Sequence, residues 1–434
     1  MASAGKGRPV LDPSLDSAPP AADPVRGGVL LIVENHSVPA DRRVWGEATT
    51  LQRAGYRVSV ICPRGRFMDK ESFEARDGVA IHRFRTFEGN RSWNYLLEYG
   101  WALLACFGLA LRVWRSRGFD VIHVGNPPDL FFPLAWVFRL FGKKFIFDQH
   151  DLCPETYLSK FETARQGLYY RLLAWTEQRT YRAADVVVVT NESYRDVARS
   201  RGRVAEDRIF VVRNSPNLNI FKPTPPDPTL REGFQHLVAF VGIMSAQDGV
   251  DYLLRAAHHV VYGRGRRDVL FILVGTGPAW DHLQKLHAEL ELQSNVRFTG
   301  RIPDEPMIRV LASADLCASP DPLNPLNDVS TMTKLMEFMA MGKASVSFEL
   351  KEARYSAQDA AIYVPGNDWR AFGDAIIELL GDPERRARMG EAGLQRIRTE
   401  LSWARSEANL RAAYMRALGR GAGRSAPARA ASQP

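Results

Sequence analysis

The fold is decided by "HLVAFVGIM" at residues 236–244, "GVDYLLRAAHHVVYG" at 249–263 and "VLFILVGTG" at 269–277. The first and third pieces are short apolar runs typical of buried strands, and the second has apolar residues at helical spacing. A strand, a helix and another strand in this order predict a parallel βαβ unit, and the same alternation begins at Gly28. We therefore predict an α/β protein with two Rossmann-like, doubly wound parallel-sheet halves that face each other across a ligand-binding cleft.

A proline-rich stretch, "NSPNLNIFKPTPPDPTLREGF", separates the two halves and is interpreted as a linker. Both chain ends are rich in proline, alanine and other small residues, which predicts disorder. The predicted organisation is a disordered leader at 1–27, an N-terminal domain at 28–213, a linker at 214–234, a C-terminal domain at 235–399, a helix at 400–418 that packs back on the N-terminal domain, and a disordered tail at 419–434.

The chain has 434 residues and a formal net charge of +8, which favours an anionic partner. We do not expect nucleic acid, because the sequence has no basic run interleaved with aromatic residues and no zinc finger. The cysteines Cys62, Cys106, Cys153 and Cys317 lie far apart, and no histidines stand at zinc spacing. We expect reduced thiols in a cytoplasmic protein, without a metal or a cofactor.

The segment "YGWALLACFGLALRVWRSR" at residues 99–117 is apolar for about 13 residues, short of the roughly 20 needed to span a bilayer. It predicts a buried crossover helix or a helix that docks on the membrane, and the two interpretations are compatible. Docking would give the protein a peripheral contact with the inner membrane surface. The residues at that interface would be Trp101, Arg112, Trp114, Arg115 and Arg117.

A dinucleotide cofactor requires the pattern G-x-G-x-x-G in the turn after a strand. The first turn of the chain, "VENHSVPADRR", contains no glycine. The second half offers "VGTGPAW", with Gly275 and Gly277, but Trp280 stands where the third glycine should pack. The sequence therefore argues against a redox cofactor.

The stretch "NDVSTMTKLMEFMAMGK" at residues 327–343 predicts a helix whose first turn is rich in hydroxyl groups. Ser330 or Thr331 can cap the helix, and its first-turn N–H groups with the charge of Lys334 make an anion site. Thr333 and Glu337 fall on one face of that helix. The alternative is an ordinary capped core helix that ends at a C-cap glycine, so capping alone leaves the function open.

At this helix, and at "FVGIMSAQDGVDYLLRA", "FILVGTGPAWDHLQ", "NVRFTGRIP", "FIFDQHD" and "VENHSVPADRRVWGEATTL", the chain resembles family-4 retaining glycosyltransferases of the GT-B fold. It is most similar to the bacterial branch that works in capsule, O-antigen and exopolysaccharide assembly. The resemblance implies an acceptor-binding N-terminal domain and a nucleotide-sugar-binding C-terminal domain. It further implies sugar transfer, with UDP as the default nucleotide, to a lipid-linked or glycan acceptor.

The resemblance also implies roles for individual residues. Glu337 matches the second glutamate of the family's Glu-x7-Glu motif, which binds the donor ribose, and His150 matches the histidine close to the transferred sugar. The acceptor side matches the first loop, with His36, Arg42 and Arg43. The donor side comprises Gly242, Gly275, Gly300, Arg301, Asp328, Ser330, Thr331 and Lys334, with Gly300 and Arg301 in the segment that holds the nucleobase.

Two positions depart from the family pattern. Val329 stands where the first motif glutamate is expected, with Asp328 as the nearest carboxylate, and Asp248 replaces a lysine that binds the donor phosphates. Lys334 is our hypothesis for the replacement cation. Two alternatives stay open here. Arg42 and Arg43 are also consistent with a solvated first turn of a helix, and His150 is also consistent with a purely structural role.

Two other functions stay open at this point. A sugar-nucleotide 2-epimerase shares the fold, but it would need several carboxylates and histidines around the hexose. A catalytically degenerate protein that binds a nucleotide sugar fits the missing glutamate and the Asp248 substitution. Turnover of a nucleotide sugar would distinguish the three.

Overall fold

The computed structural model describes residues 26–65, 69–86, 94–160 and 167–419. The predicted disordered leader and tail lie outside these residues, apart from Arg26, Gly27 and Gly419.

The N-terminal domain contains one eight-stranded sheet in the order β3-β4-β2-β1-β5-β6-β7-β8. All neighbouring strands are parallel except β3, which runs antiparallel to β4 on the edge. The strands are β1 (Gly28–Ile32), β2 (Arg57–Pro63), β3 (Phe73–Arg76), β4 (Val79–Phe84), β5 (Val121–Gly125), β6 (Lys144–Gln149), β7 (Val186–Val189) and β8 (Ile209–Val211). The helices are α1 (Arg42–Arg53), α2 (Asn94–Ser116), α3 (Phe132–Arg139), α4 (Cys153–Lys160), α5 (Leu168–Ala183) and α6 (Glu192–Ser200).

The C-terminal domain contains a six-stranded, fully parallel sheet in the order β11-β10-β9-β12-β13-β14. Its strands are β9 (His236–Val241), β10 (Val269–Val274), β11 (Val296–Gly300), β12 (Leu316–Ser319), β13 (Ser345–Phe348) and β14 (Ala361–Val364). The helices that follow are α7 (Val250–His258), α8 (Trp280–Glu289), α9 (Asp304–Ser313), α10 (Thr333–Ala340), α11 (Lys351–Ala357), α12 (Trp369–Gly381), α13 (Pro383–Thr399) and α14 (Trp403–Ala417).

The predicted fold is confirmed, because both sheets carry apolar clusters on their two faces. β7 is an uninterrupted run of four buried valines, as expected of a strand covered by helices on both sides. One cluster in each domain lies under each face of the sheet. The carboxyl ends of the parallel strands in each domain are left to form the ligand edge.

Helix α14 crosses back to the N-terminal domain and lies against its sheet. Leu410 and Tyr414 are fully buried there, and the Tyr414 hydroxyl lies 2.8 Å from Nδ1 of His123 in β5. Trp403 donates a hydrogen bond of 3.0 Å from its indole nitrogen to Oγ1 of Thr50 in α1. The last helix therefore links the two domains.

Helix α2 contains the predicted crossover segment, and no helix among the described residues is long and apolar enough to cross a bilayer. Its outer face carries Trp101, Leu104, Arg112 and Arg115. Trp114 is only partly exposed, because its ring packs on Phe138 and Phe141, and its place at a membrane interface stays a prediction. Arg117 is likewise only partly exposed.

Candidate functional site

The predicted site residues gather at the carboxyl ends of the strands. His150 follows β6, and Gly242 and Gly275 follow the adjacent strands β9 and β10. Gly275 has a φ of +136°, and a side-chain carbon there would lie 1.8 Å from the carbonyl oxygen of Gly242. Glycine at this point therefore allows the two strand ends to approach each other. Gly300, at the end of β11, has a φ of +68° and open space above its α-carbon.

His150 is held by a buried carboxylate that the sequence analysis did not single out. Its Nε2 atom lies 2.7 Å from Oδ2 of Asp148, and its ring covers Gly125, where a side-chain carbon would come within 2.7 Å of Cε1. The backbone N–H of His150 donates to Oδ1 of Asn126 at 2.7 Å. The ring is thus fixed at the cleft edge and remains 14% exposed.

Arg43 is part of this network, so the prediction that it faces the acceptor is wrong. Its guanidinium is 8% exposed and donates to Asp148 at 2.8 Å, and its Nε lies 3.2 Å from Oε1 of Glu47. Burial would raise the pKa of Asp148, but Arg43 and His150 hold it well below its ordinary range. Burial and the Asp148 charge raise the pKa of Glu47 well above its usual value. Arg43 therefore keeps Asp148 anionic.

Three residues of this network, Glu47, Asp148 and His150, are also of the types that bind metal ions. Ligand atoms of Glu47, Asp148 and His150 lie within 4.8 Å of one another, close enough to hold an ion. The Arg43 guanidinium already contacts both carboxylates, so a metal would have to displace it.

The helix predicted at residues 327–343, α10, begins later than predicted, and neither Ser330 nor Thr331 caps it. Helix α10 starts at Thr333, its N-cap is Met332, and no side chain caps it. Ser330 instead donates to the carbonyl of Leu326 at 2.8 Å. The capping prediction is wrong because a short 3₁₀ turn, Asn327–Val329, precedes the helix and places both hydroxyls before its first turn. Among the residues that the structure describes, no side chain therefore accepts a hydrogen bond from the first-turn N–H groups.

The hydroxyl groups of this loop bind the N-terminal domain. The Oγ atom of Ser330 lies 3.0 Å from the Tyr194 hydroxyl, and Oγ1 of Thr331 accepts from Nδ2 of Asn191 at 3.0 Å. Arg213 also donates to Oγ1 of Thr331, at 3.3 Å. The loop before α10 is therefore hydrogen-bonded to the N-terminal domain.

Lys334 differs from the free cation of our hypothesis. Its buried Nζ atom lies 2.6 Å from Oδ1 of Asp321 and 3.1 Å from Oδ1 of Asp248. Burial lowers the pKa of Lys334, but the two carboxylates raise it above its usual value, so the amine stays protonated. The three side chains together carry a charge of about −1 when all are ionised. Asp248 thus forms an ion pair with Lys334 and helps to neutralise the charge of the amine.

Two carboxylates of the predicted donor site have different surroundings. Asp328 accepts a hydrogen bond of 2.8 Å from the backbone N–H of Lys351, the first residue of α11. Glu337 is partly buried, and its carboxylate has no hydrogen-bond partner among the described residues. Burial raises the pKa of Glu337 to about 7, although Arg42 and Lys334 oppose the shift. Glu337 is the carboxylate that is free to accept from a ligand.

The remaining predicted residues lie on the exposed rim. Arg42 donates to both oxygens of Asp304 in α9 at 3.0 Å, which joins the two domains across the cleft. Arg301 and His36 are exposed, and Arg301 has no partner among the described residues. Arg301 is therefore an available cation beside Gly300.

Family models match both halves of the chain. The model described as "Glycosyl transferase 4-like domain" matches residues 40–215, and "Glycosyl transferases group 1" matches residues 235–382. Together the two matches span more than half of the chain.

Curated relatives and solved structures agree with these matches. Alpha-maltose-1-phosphate synthase of Mycolicibacterium smegmatis is 28% identical over 287 residues, which cover 61% of this chain and 71% of that protein. Sucrose-phosphate synthase from Thermosynechococcus elongatus has a TM-score of 0.74 at 19% identity, covering 91% of this chain and 100% of the other. HepE of Anabaena, in complex with UDP and glucose, has a TM-score of 0.67 at 16% identity, and the match covers 89% of this chain and 98% of HepE. The structural similarities confirm the GT-B fold.

Proposed function

We propose that this chain, which belongs to the GT-B glycosyltransferases with a glycosyl transferase 4-like and a group 1 domain, moves a sugar from a nucleotide diphosphate donor with retention of configuration. The acceptor is a lipid-linked sugar or polysaccharide in the synthesis of a cell-surface glycan. The observation that carries the proposal is the uncapped start of α10 one turn before the unpartnered carboxylate of Glu337.

The start of α10 suits the donor diphosphate. Free N–H groups and the positive end of the helix dipole stabilise an anion, and they do so most where negative charge develops on a leaving diphosphate. Glu337, one turn further along, is placed to accept from the ribose hydroxyls. Arg301 supplies an exposed cation directly after β11, at the same edge of the sheet.

The His150 ring faces the transferred sugar from the other domain. Because Asp148 accepts from Nε2, the remaining ring nitrogen and the backbone at this strand end are left for the sugar. UDP is the proposed nucleotide, supported by the fold that this chain shares with HepE in complex with UDP and glucose.

An exposed apolar face on the N-terminal domain supports a peripheral membrane contact. The face continues from α2 to α3 and α5, because the ring centroids of Trp114 and Phe141 are 4.7 Å apart and those of Phe132 and Trp175 are 5.9 Å apart. Exposed Arg112 on α2 gives the face a positive charge that suits anionic lipids. Its exposed apolar residues are Trp101, Leu104, Trp136, Leu140, Phe141, Leu168, Leu172 and Trp175.

A catalytically degenerate nucleotide-sugar-binding protein is the second candidate. It is favoured by Val329 in place of the first motif glutamate and by the pairing of Lys334 with Asp248. The epimerase is not favoured, because both family models that match the chain describe glycosyl transferases.

Calorimetric titration with UDP-, GDP- and TDP-sugars tests the proposal. We expect one nucleotide to bind wild-type protein and to bind Glu337→Gln at least tenfold more weakly, since a hydrogen bond to a charged group contributes about 1.5–3 kcal/mol. The matched control is Glu384→Gln, an exposed carboxylate on α13. Equal affinities of the wild type and Glu337→Gln would contradict the assignment of the donor site.

A further inference from the structure

A basic cavity lies at the edge of the N-terminal sheet opposite the transfer site. Its volume is about 570 Å³, within the usual range of ligand pockets. Lys144, which lines it, begins β6, whereas His150 directly follows the other end of that strand. A strand rises about 3.3 Å per residue, so the two residues are about 20 Å apart. The cavity is therefore separate from the cleft. Its charged lining residues are Arg139, Lys144, Arg182, Asp185, Arg208 and Arg416.

The charges around this cavity leave a positive surplus. Five of its lining side chains are cations, and two carboxylates, Asp185 and Asp207, pair with some of them. The helices α3, α5 and α14 also end here, and each helix end contributes about −0.5 of a charge. The surplus that remains is about +1.5. Neutralising the helix ends therefore does not account for all of the cations.

Two of the cations are only weakly held by the protein. Arg182 is exposed, and its guanidinium donates to the neutral amide oxygen of Gln178 at 3.1 Å. The Nζ atom of Lys144 is 3.9 Å from the nearer oxygen of Asp185, beyond hydrogen-bond distance. Arg208, in contrast, is fixed because it donates to two backbone carbonyls. Arg182 and Lys144 are thus available to a ligand, and Arg208 forms part of the wall.

The basic surface continues into a second cavity of about 410 Å³. Arg182 and Arg208 line both cavities, so the two form one groove, which we call the basic groove. The second cavity adds the exposed Arg203. The groove also adjoins the apolar face, because its lining residue Arg139 directly precedes Leu140, which is 84% exposed. A phosphate ligand that carries an apolar part would contact both surfaces.

The chemistry of the basic groove favours phosphate groups. The guanidinium of arginine presents a planar fork of N–H donors that matches two phosphate oxygens. A phosphate monoester carries a charge of about −1.5 to −2 at neutral pH, which is close to the positive surplus of the groove. A neutral sugar would gain no charge-assisted hydrogen bond from these side chains.

We propose that the basic groove binds phosphate groups, either of a soluble phosphate compound or of an anionic phospholipid head group. Arg182 and Lys144 contact the phosphate directly, and Arg416 joins them when it leaves Asp207. The site does not depend on the donor site or on sugar transfer, since it lies at the opposite edge of the sheet.

Calorimetry with pyrophosphate tests the soluble source. We expect the double variant Lys144→Gln, Arg182→Gln to bind pyrophosphate at least about tenfold more weakly than the wild type, because charged hydrogen bonds are lost. Asp207→Asn releases Arg416 from an ion pair of 2.7 Å and should bind pyrophosphate about threefold more tightly. Binding in the distant cleft should be the same in all of these variants.

The matched control removes the same charge elsewhere. It is the double variant Arg388→Gln, Arg398→Gln, two exposed arginines of α13, and it should bind pyrophosphate as the wild type does. Both double variants should keep the Tm of the wild type, because exposed side chains contribute little to stability.

Sedimentation with phosphatidylglycerol vesicles identifies the source of the phosphate. A soluble ligand predicts that the groove variant loses affinity for pyrophosphate alone, whereas a lipid head group predicts a loss for the vesicles, with or without a loss for pyrophosphate. The inference is overturned if the groove variant binds both probes as tightly as the wild type, if the wild type binds neither, or if the α13 control loses as much affinity.

Discussion

The carboxylate of Asp148 lies 2.7 Å from the Nε2 atom of His150; Asp148 stands near the end of the buried strand β6, and His150 directly follows that strand. Because the carboxylate is anionic and fixed by Arg43, it orients the imidazole and determines which ring nitrogen faces the cleft. The orientation of His150 is therefore determined within the N-terminal domain before any donor binds.

Loss of this imidazole should affect transfer more than donor binding. We expect His150→Ala to lower kcat by about 10²–10³, in the range for one preorganised hydrogen-bonding group at a reacting centre. Donor affinity by calorimetry should change less than threefold. His258→Ala on α7 is the matched control and should leave kcat unchanged. An equal loss in both variants would remove His150 from the transfer site.

Arg42 and Arg43 are neighbours in sequence but should differ in their contribution to stability. Arg43→Met removes the buried guanidinium that keeps Asp148 anionic, and we expect a loss of about 3–5 kcal/mol in the free energy of unfolding. Arg42→Met breaks a half-exposed pair and should cost about 1 kcal/mol or less. Urea denaturation measures both variants. Similar losses would contradict the buried network.

Asp248 should weaken the attraction of Lys334 for the donor. Asp248→Asn removes one of the two carboxylates near the amine, so the local charge becomes more positive and UDP should bind about three- to tenfold more tightly at low salt. The gain should shrink in high salt. Calorimetry with UDP at two ionic strengths checks both points, and weaker binding by Asp248→Asn would show that the carboxylate instead positions Lys334 for the donor.

Because the pKa of Glu337 is raised, the free energy of unfolding should fall as the pH rises. Its carboxyl has a pKa of about 7 in the folded protein and an ordinary pKa of 4.5, so between these values the unfolded chain loses a proton that the folded chain retains. The stability contributed by the protonated form is therefore lost as the pH rises towards 7. Glu337→Gln should be more stable than the wild type at pH 8 and equally stable at pH 4. A constant difference at both pH values would contradict the burial of this group.

The apolar face should bind anionic bilayers. In sedimentation with phosphatidylglycerol vesicles we expect the wild type to bind, and the double variant Leu140→Asp, Leu172→Asp to lose at least tenfold in affinity. Leu323→Asp, an exposed leucine of the C-terminal domain, is the control. Phosphatidylcholine vesicles should bind the wild type more weakly. Binding that survives the double variant would place the contact elsewhere.

The fold followed from the sequence because parallel strands and their crossover helices leave strong local patterns. Val186–Val189 shows the pattern of a strand that is buried on both faces, and it is one. The same locality explains why the sequence points to Glu337 and His150 as candidate site residues, since the motifs around them are continuous in sequence.

The errors concern contacts between distant parts of the chain. The sequence gives no sign that Ser330 and Thr331 bind Tyr194 and Asn191 of the other domain rather than cap α10. The burial of Arg43 likewise depends on Asp148, more than a hundred residues away. A charged residue inside the apolar run "FIFDQH" was the available signal for Asp148.

The most direct measurement is proton NMR of wild-type protein incubated with UDP-glucose and membrane extract as acceptor, followed until the donor anomeric signal decays. We predict release of UDP together with a new glycoside of the same anomeric configuration as the donor, and no release by Glu337→Gln. An intact donor signal, or an epimer of the donor at C2, would contradict the assignment of this protein as a retaining glycosyltransferase.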